Sequence, residues 1–375
     1  MKIVVLGGAG DMGSRAVEDL CRTDGVVAVT IADQNVVAAR RLAERLQATG
    51  TNIEIATVDA NVKDSLVAAM RGHDVAASAL GPFHRFETKL VSAALEAEVD
   101  YASLCDEWQP TQKVFEKFSR EAADQGRTMV IGLGTSPGAT NLAVAYAARD
   151  LDTVTRADIS CYQPFSGGGG PAVLQHMLHI LNGKTQICRR GKHTRIAALS
   201  EETVVEFPRF GPLRVWNMGH SEPFTLPQTF PDLRDVNFMM GFGTGTSLLV
   251  QLARWGCFAT PSRVDAAVAV LGWLEQWIEG EPAPGAIRVD VEGTISGDVV
   301  RRTLCGVGQM REVTGTALSL GAQMIARGEL RRTGGVFSPE ACIDPVRALQ
   351  EFATKGLRLF ADVEMTRAVG AGAPA

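Results

Sequence analysis

The sequence predicts an α/β protein built on a doubly wound parallel sheet, and three observations carry that prediction. A β-branched apolar run, Lys2 to Leu6, leads into glycines spaced Gly-x-Gly-x-x-Gly at Gly8, Gly10 and Gly13, and a helical pattern follows. An acid, Asp33, closes the next apolar run twenty residues after Gly13. Strand-length apolar runs then alternate with helical patterns as far as Ile131.

Each element has its own reason. Gly8 permits a sharp turn out of the first strand, Gly10 lets backbone N–H groups approach a diphosphate, and Gly13 lets helix and strand pack closely. The helix from Ser14 to Cys21 turns Ala16, Val17 and Leu20 inward, and its start, beside Asp11 and Met12, presents the positive end of a helix to phosphate. The second strand, Val26 to Ala32, ends in Asp33, whose carboxylate can accept from both ribose hydroxyls of NAD and repels a 2′-phosphate. NAD is therefore expected ahead of NADP. Arg40 and Arg41, on the next helix, are read as exposed helix charges ahead of a clamp for that phosphate. Alone, Asp33 also suits a strand-end turn with Gln34 and Asn35.

A third strand, Ile53 to Val58, runs into Asp59 and Ala60, a helix spans Lys63 to Met70, and a fourth strand, Val75 to Leu80, ends in Gly81, Pro82 and Phe83. Parallel sheets gather ligands at the carboxyl ends of their strands. Asp59 and Ala60 are thus placed on the adenine side of a dinucleotide, and Leu80, Gly81, Pro82 and Phe83 on its ribose and nicotinamide side. Helix Thr88 to Ala97, strand Tyr101 to Leu104, helix Thr111 to Ala123 and strand Thr128 to Ile131 complete a Rossmann lobe over residues 1–132.

Beyond Leu151 the pattern changes to alternating segments. Hairpins are expected with turns at Arg190 to Lys192 and at Ser296 to Asp298, with further strands at Val204 to Phe207, Leu213 to Met218 and Val236 to Met240. Helical runs are read over Ala172 to Leu181, after the glycines at 167–170, and over Val264 to Ile278, where Trp273 and Trp277 suit a core or subunit contact. After Thr314 a helix runs to Arg327, and another starts near Pro345.

Composition limits the function classes. A net charge of −5 leaves no basic field for phosphates, so no nucleic-acid partner is expected. No run approaches the ~20 apolar residues of a membrane span, and the opening MKIVVLGG is too short for a signal peptide, so a cytoplasmic, membrane-free protein is expected. The seven cysteines are scattered without a CxxC pair, which suggests small buried hydrophobes over disulfides or zinc. His176 and His179 stand three apart with no acid or cysteine at ligand spacing, so no metal is expected.

Three clusters have the right chemistry for a reaction centre. Asp106 and Glu107 follow the fifth strand; either holds a protonated amine by charge or serves as a base, and either equally suits the cap of the next helix. Thr135, Ser136 and Pro137, with Asn141 beyond, begin another helix whose backbone N–H groups suit cofactor phosphate and ribose (Thr135, Pro137) or a substrate carboxylate (Ser136, Asn141). His220, in the stretch NMGHSE, titrates near neutrality when unperturbed and suits proton transfer. Arg209 offers a fork for a substrate carboxylate.

The stretches GLGTSPGATNLAV (Gly132 to Val144), YASLCDEW (Tyr101 to Trp108), LSEETVVEFPRFGPL (Leu199 to Leu213), VTGTALSLGAQMIARGEL and GGVFSPE together resemble the saccharopine dehydrogenase family of NAD(P) oxidoreductases, lysine 6-dehydrogenase-like members included. The resemblance implies a Rossmann domain completed by about residues 314–366, a mixed α/β substrate and dimerisation domain inserted over 133–313, and a homodimer; 367–375 reads as a disordered tail. It also implies hydride transfer at a C–N (amine/imine) bond of an amino acid or related amine, with Glu107 as the acid carried over. Two positions depart from the pattern: Ser103 stands where the family has aspartate, and Asp106 where it has glycine. Dehydrogenation of a small hydroxy acid or sugar C–OH, and NAD binding by a non-catalytic redox sensor, are the alternatives the residues leave open.

Overall fold

The computed structural model describes residues 1–164, 175, 177–178, 180–181, 183–243, 246–275 and 283–370. The chain divides into two units: Met1–Ala139 with Arg311–Asp344, and Thr140–Met310 with the segment from Pro345 onward.

In the first unit, β1 (Lys2–Leu6), β2 (Ala28–Asp33), β3 (Asn52–Thr57), β4 (Val75–Ser78), β5 (Asp100–Ser103) and β6 (Thr128–Ile131) alternate with α1 (Asp11–Leu20), α2 (Val36–Leu46), α3 (Lys63–Met70), α4 (Phe83–Glu96) and α5 (Trp108–Asp124). A late strand, Gly335–Phe337 (β15 in chain order), pairs in parallel with β6. The seven-stranded order is β15-β6-β5-β4-β1-β2-β3, so the chain reverses direction across the sheet between β1 and β4. That is where a doubly wound sheet opens a crevice. The central strands are buried on both faces, as parallel sheets covered by helices require, and their residues are correspondingly apolar. β3 lies at an edge and is largely exposed.

Helix starts explain most of the differences from the sequence reading. α4 begins five residues before the expected Thr88, because the Pro82 carbonyl already accepts the N–H groups of Arg85 and Phe86. α5 likewise begins at Trp108, with Pro110 in its first turn, where a missing N–H costs nothing. The Asn35 side chain caps α2 by accepting the Ala38 N–H at 3.0 Å.

The returning helix α10 (Met310–Ala326) lies against α1. A Cβ on Gly315 would stand 2.6 Å from Arg15 Cβ and 2.9 Å from the Met12 carbonyl oxygen, so glycine is what lets the helices approach. Further along, Ser319 Oγ donates to Asp19 Oδ2 at 2.7 Å and Arg15 Nε to Glu312 at 2.5 Å.

The second unit holds α6 (Ala139–Ala148, from Thr140), α7 (Glu222–Thr229), α8 (Thr246–Arg254), α9 (Pro261–Glu275), α11 (Pro345–Thr354) and the eight strands β7 (Thr153–Tyr162), β8 (Lys184–Arg189), β9 (Lys192–Ala197), β10 (Glu202–Phe207), β11 (Gly211–Asn217), β12 (Asp235–Gly241), β13 (Gly285–Ile295) and β14 (Asp298–Gly308). The main path is β10-β11-β12-β7-β13-β14, with β8 on β12 and β9 on β8. Among the described residues, only β12 and β7 of this sheet pair in parallel, so the sheet is mixed. Both expected hairpins form at the expected turns. Ile159, Trp216, Phe238, Val289 and Leu304 are among the buried residues of its core.

The returning segment of the first unit runs from Arg311 to Asp344, and in the second unit Phe360 bridges to Cys305 of β14 and to Ala368. The Arg367 N–H and Nε donate to Asp362, and the Val369 N–H donates to the Leu359 carbonyl. Residues 371–375, the glycines at 167–170, His176, His179 and Trp277 lie outside the described residues.

Candidate active site and cofactor cradle

The glycine loop sits at the carboxyl end of β1. A Cβ on Gly13 would lie 2.1 Å from the Gly7 carbonyl oxygen, and one on Gly8 2.8 Å from the Val5 carbonyl oxygen. Both positions therefore accept only glycine. The left-handed bend falls at Gly7 (φ +70°), not at Gly8, and a Cβ there would meet Ala79 and Leu80 at 3.2 Å. Gly7 was missed because two consecutive glycines do not reveal which of them carries the bend. Gly10 caps α1 without a side chain, and Asp11 and Met12 open its first turn.

Asp33 ends β2 facing this loop. Its Oδ2 accepts the Ala9 N–H at 3.0 Å and its Oδ1 the Asn35 N–H at 2.8 Å. The carboxylate is thus fixed beside the loop, where a ribose would bring hydroxyls. Asp59, beyond β3, is exposed and accepts two bonds from Asn61, from the backbone N–H at 2.8 Å and from Nδ2 at 3.0 Å; these hold its pKa below the usual range. Ala60, Leu80, Gly81, Pro82 and Phe83 are half-buried at the strand ends, and the Leu80 N–H donates to Ser78 Oγ at 3.3 Å.

This arrangement fits a dinucleotide: backbone approach is enforced by absent side chains, a helix N-terminus faces the loop, and a carboxylate is held at the neighbouring strand.

Next to it lies a buried acidic cluster. Glu107 is the N-terminal boundary residue of α5, and its side chain makes no cap bond to that helix. Its carboxylate, 2% exposed, instead accepts the His84 N–H at 3.1 Å and His84 Nδ1–H at 3.0 Å. Its backbone carbonyl accepts the Thr111 N–H at 3.2 Å, the first intrahelical bond, and Thr111 Oγ1 at 2.8 Å. One turn along α4, Glu87 is wholly buried and accepts from Ser103 Oγ at 2.6 Å and Tyr101 OH at 3.3 Å. Burial pushes the Glu87 carboxyl up to about 7, against the pull of those two donors. Asp106 is half-buried beside Glu107. His84 and Glu87 escaped the sequence reading because their partners stand 23 and 16 residues away, and no local spacing marks such pairs.

The turn Gly132 to Gly138 is tight. A Cβ on Gly138 would sit 2.1 Å from the Gly134 carbonyl oxygen, and one on Gly132 would sit 2.6 Å from Pro137 Cγ. Thr135 Oγ1 and Thr314 Oγ1 share a 2.8 Å hydrogen bond, and Ser136 is half-buried in the same turn.

In the second unit a different group forms around His220, which is 4% exposed. Its ring stacks on Phe238 at 3.8 Å, and Nδ1–H donates to the buried Glu222 at 2.7 Å, which fixes the tautomer. Glu222 also accepts from Thr140 Oγ1 at 3.1 Å, and Asn141 Nδ2 donates to Thr225 Oγ1 at 3.4 Å. Arg209 is exposed at the β10–β11 turn with φ +66°. Among the described residues no His, Cys, Asp and Glu gather as a metal-binding group, and no helix is long and apolar enough to cross a membrane. Six of the seven cysteines are buried, Cys257 is exposed, and none is joined in a disulfide.

Residues 3–152 match the family model described as the saccharopine dehydrogenase NADP binding domain. A Mycobacterium tuberculosis protein, named as a trans-acting enoyl reductase, is 27% identical over 184 residues, covering 48% of this chain and 44% of that one. Carboxynorspermidine synthase of Vibrio alginolyticus is 25% identical over 261 residues, covering 63% of this chain and 62% of that one. The chain thus spans less than two thirds of the length of either relative. Apo saccharopine dehydrogenase (L-Glu forming) from Saccharomyces cerevisiae superposes with a TM-score of 0.67 at 14% identity, over 95% of this chain and 98% of that one, which establishes a shared fold.

Proposed function

We propose, from the match of residues 3–152 to the saccharopine dehydrogenase NADP binding domain, that the chain is an NAD(P)-dependent oxidoreductase acting on CH–NH or CH–NH2 donors of an amino acid or related amine. The observation that carries the proposal is the cradle formed by Gly7, Gly8 and Gly13 beside the fixed Asp33 carboxylate. A relative named for a carboxynorspermidine product supports the choice of a C–N bond.

A bound nicotinamide supplies or accepts the hydride. The chain's own residues bind, orient and manage protons. Glu107 and His84 form a carboxylate–imidazole pair suited to a protonated amine, with Asp106 adding negative charge. His220, held by Glu222, is the second proton handler; Ser136, Asn141 and Arg209 are assigned to substrate, and Thr135 and Pro137 to the cofactor. The inserted unit is read as the substrate and dimerisation domain of a cytoplasmic homodimer, a reading that rests on the family resemblance.

The domain's name points to NADP, whereas a carboxylate held where a 2′-phosphate would lie points to NAD, which is the assignment made here. A second reading, reduction of an enoyl C=C bond, is favoured by the name of the Mycobacterium relative. Incubating the protein with each oxidised coenzyme and a panel of amino acids and polyamines, and with each reduced coenzyme and enoyl or keto acid partners, tests both. Amine-dependent formation of reduced nicotinamide supports the first reading. Turnover of enoyl substrates alone supports the second, and coenzyme binding without any turnover overturns both.

A further inference from the structure

The first turn of α1 presents a contradiction. It faces the glycine loop, where a dinucleotide's diphosphate is to be held, yet its first residue is an aspartate. An acid there stabilises a bare helix start by meeting the positive end of the helix dipole. The same carboxylate repels a diphosphate that needs that end. Nearby acids add to the problem, since Glu18 lies on the same helix and Glu312 on α10.

Arg311, the first residue of the returning segment, answers it. Nε donates to Asp11 Oδ1 at 3.1 Å, Nη2 to Ser14 Oγ and Glu18 Oε1 at 3.1 Å each, and Nη1 to Glu312 Oε1 at 3.1 Å. All three guanidinium nitrogens are engaged, and the side chain is 29% exposed. The close helix contact at Gly315 places it there: α10 reaches Met12 and Arg15 of α1 one turn after Arg311. Burial raises the Asp11 pKa, and the Arg311 charge draws it back toward ionisation.

We infer that Arg311 is a positioning residue for the coenzyme: it neutralises Asp11 at the start of α1 so that this helix end can take a diphosphate, without itself touching the phosphates. The inference rests on the dinucleotide-binding reading of the glycine loop and adds to it a residue about 300 positions away in sequence, which no glycine motif marks.

Calorimetric titration of NAD, and of ADP-ribose, which keeps the diphosphate and lacks the nicotinamide, tests it. Four proteins are needed: unaltered, Asp11→Asn, Arg311→Met and Asp11→Asn/Arg311→Met. With a screened like charge restored at the helix start, Arg311→Met is expected to bind both ligands ~10-fold more weakly. Asp11→Asn is expected to bind as tightly as the unaltered protein or a few-fold tighter, and the double variant to recover at least most of the loss. Equal binding by Arg311→Met overturns the inference and leaves the dinucleotide reading standing. A double variant as weak as Arg311→Met also overturns it, since Arg311 then acts on the phosphates directly. Absence of binding by the unaltered protein overturns both. Should Arg311→Met fail to fold, Arg311→Lys and Asp11→Asn carry the test: the lysine variant keeps the charge and is expected to bind within ~3-fold of the unaltered protein, and weakening of binding by Asp11→Asn contradicts the inference.

Discussion

The Asp33 carboxylate accepts the backbone N–H of Ala9 at 3.0 Å, tying the end of the second strand to the middle of the glycine loop. One side chain thereby sets the shape of the loop, and under the proposed function it also accepts from ribose hydroxyls. Asp33→Ala is expected to weaken NAD by ~10-fold or more, the loss of charge-assisted hydrogen bonds, and to weaken NADP less, because the repulsion of a 2′-phosphate goes with the carboxylate. Paired titrations of the two coenzymes check this; equal losses contradict the assigned coenzyme preference.

Gly13→Ala places a Cβ 2.1 Å from the Gly7 carbonyl oxygen. The loop or α1 must shift, at a cost of about 2 kcal/mol typical of overpacking. A lower urea midpoint and lost coenzyme binding are expected together. An unchanged midpoint contradicts the packing described.

How much of this was legible in the sequence follows from how far apart the cooperating residues are. The glycine loop and Asp33 were legible because their demands are local: a bend, a close approach and a strand end within one βαβ unit. The second sheet's hairpins were legible for the same reason, from turns at Arg190 to Lys192 and Ser296 to Asp298. The pairs His84 with Glu107, Glu87 with Ser103 and Arg311 with Asp11 were not, since each is made by neighbouring parallel strands or by a helix returning from the end of the chain. Glu222 stood two residues from His220 within the stretch singled out, but only the fold shows its carboxylate turned to the imidazole. The bridge from Phe360 to Cys305 leaves no local trace in the sequence either.

Glu107→Gln keeps the size of the side chain and removes its charge from the His84 pair. Amine turnover is expected to fall ~100-fold or more, the range for loss of a proton-handling group, with coenzyme affinity changed less than ~2-fold. Steady-state rates and direct titration separate these effects. Full activity of the variant would assign Glu107 a structural role only.

Burial raises Glu87 from its ordinary value of 4.5 to about 7, so the folded state binds a proton there that the unfolded chain releases earlier. Stability from this group is therefore complete below about pH 4.5 and is lost as pH rises toward 7, by about 3 kcal/mol in total. Glu87→Gln removes that loss and keeps an acceptor for Ser103. Relative to the unaltered protein, the variant is expected to gain stability steadily between pH 5 and pH 7, read from urea midpoints. A constant difference across that range contradicts the account of Glu87.

The central claim is hydride transfer to carbon bonded to nitrogen, and isotope placement tests it most directly. Reduced coenzyme deuterated at the transferring carbon is supplied with keto or aldehyde and amine partners, and the product is read by mass spectrometry. The account predicts one deuterium on the carbon joined to nitrogen in a newly formed amine. Deuterium on an alcohol carbon or a former C=C carbon, with none in any amine, would contradict it.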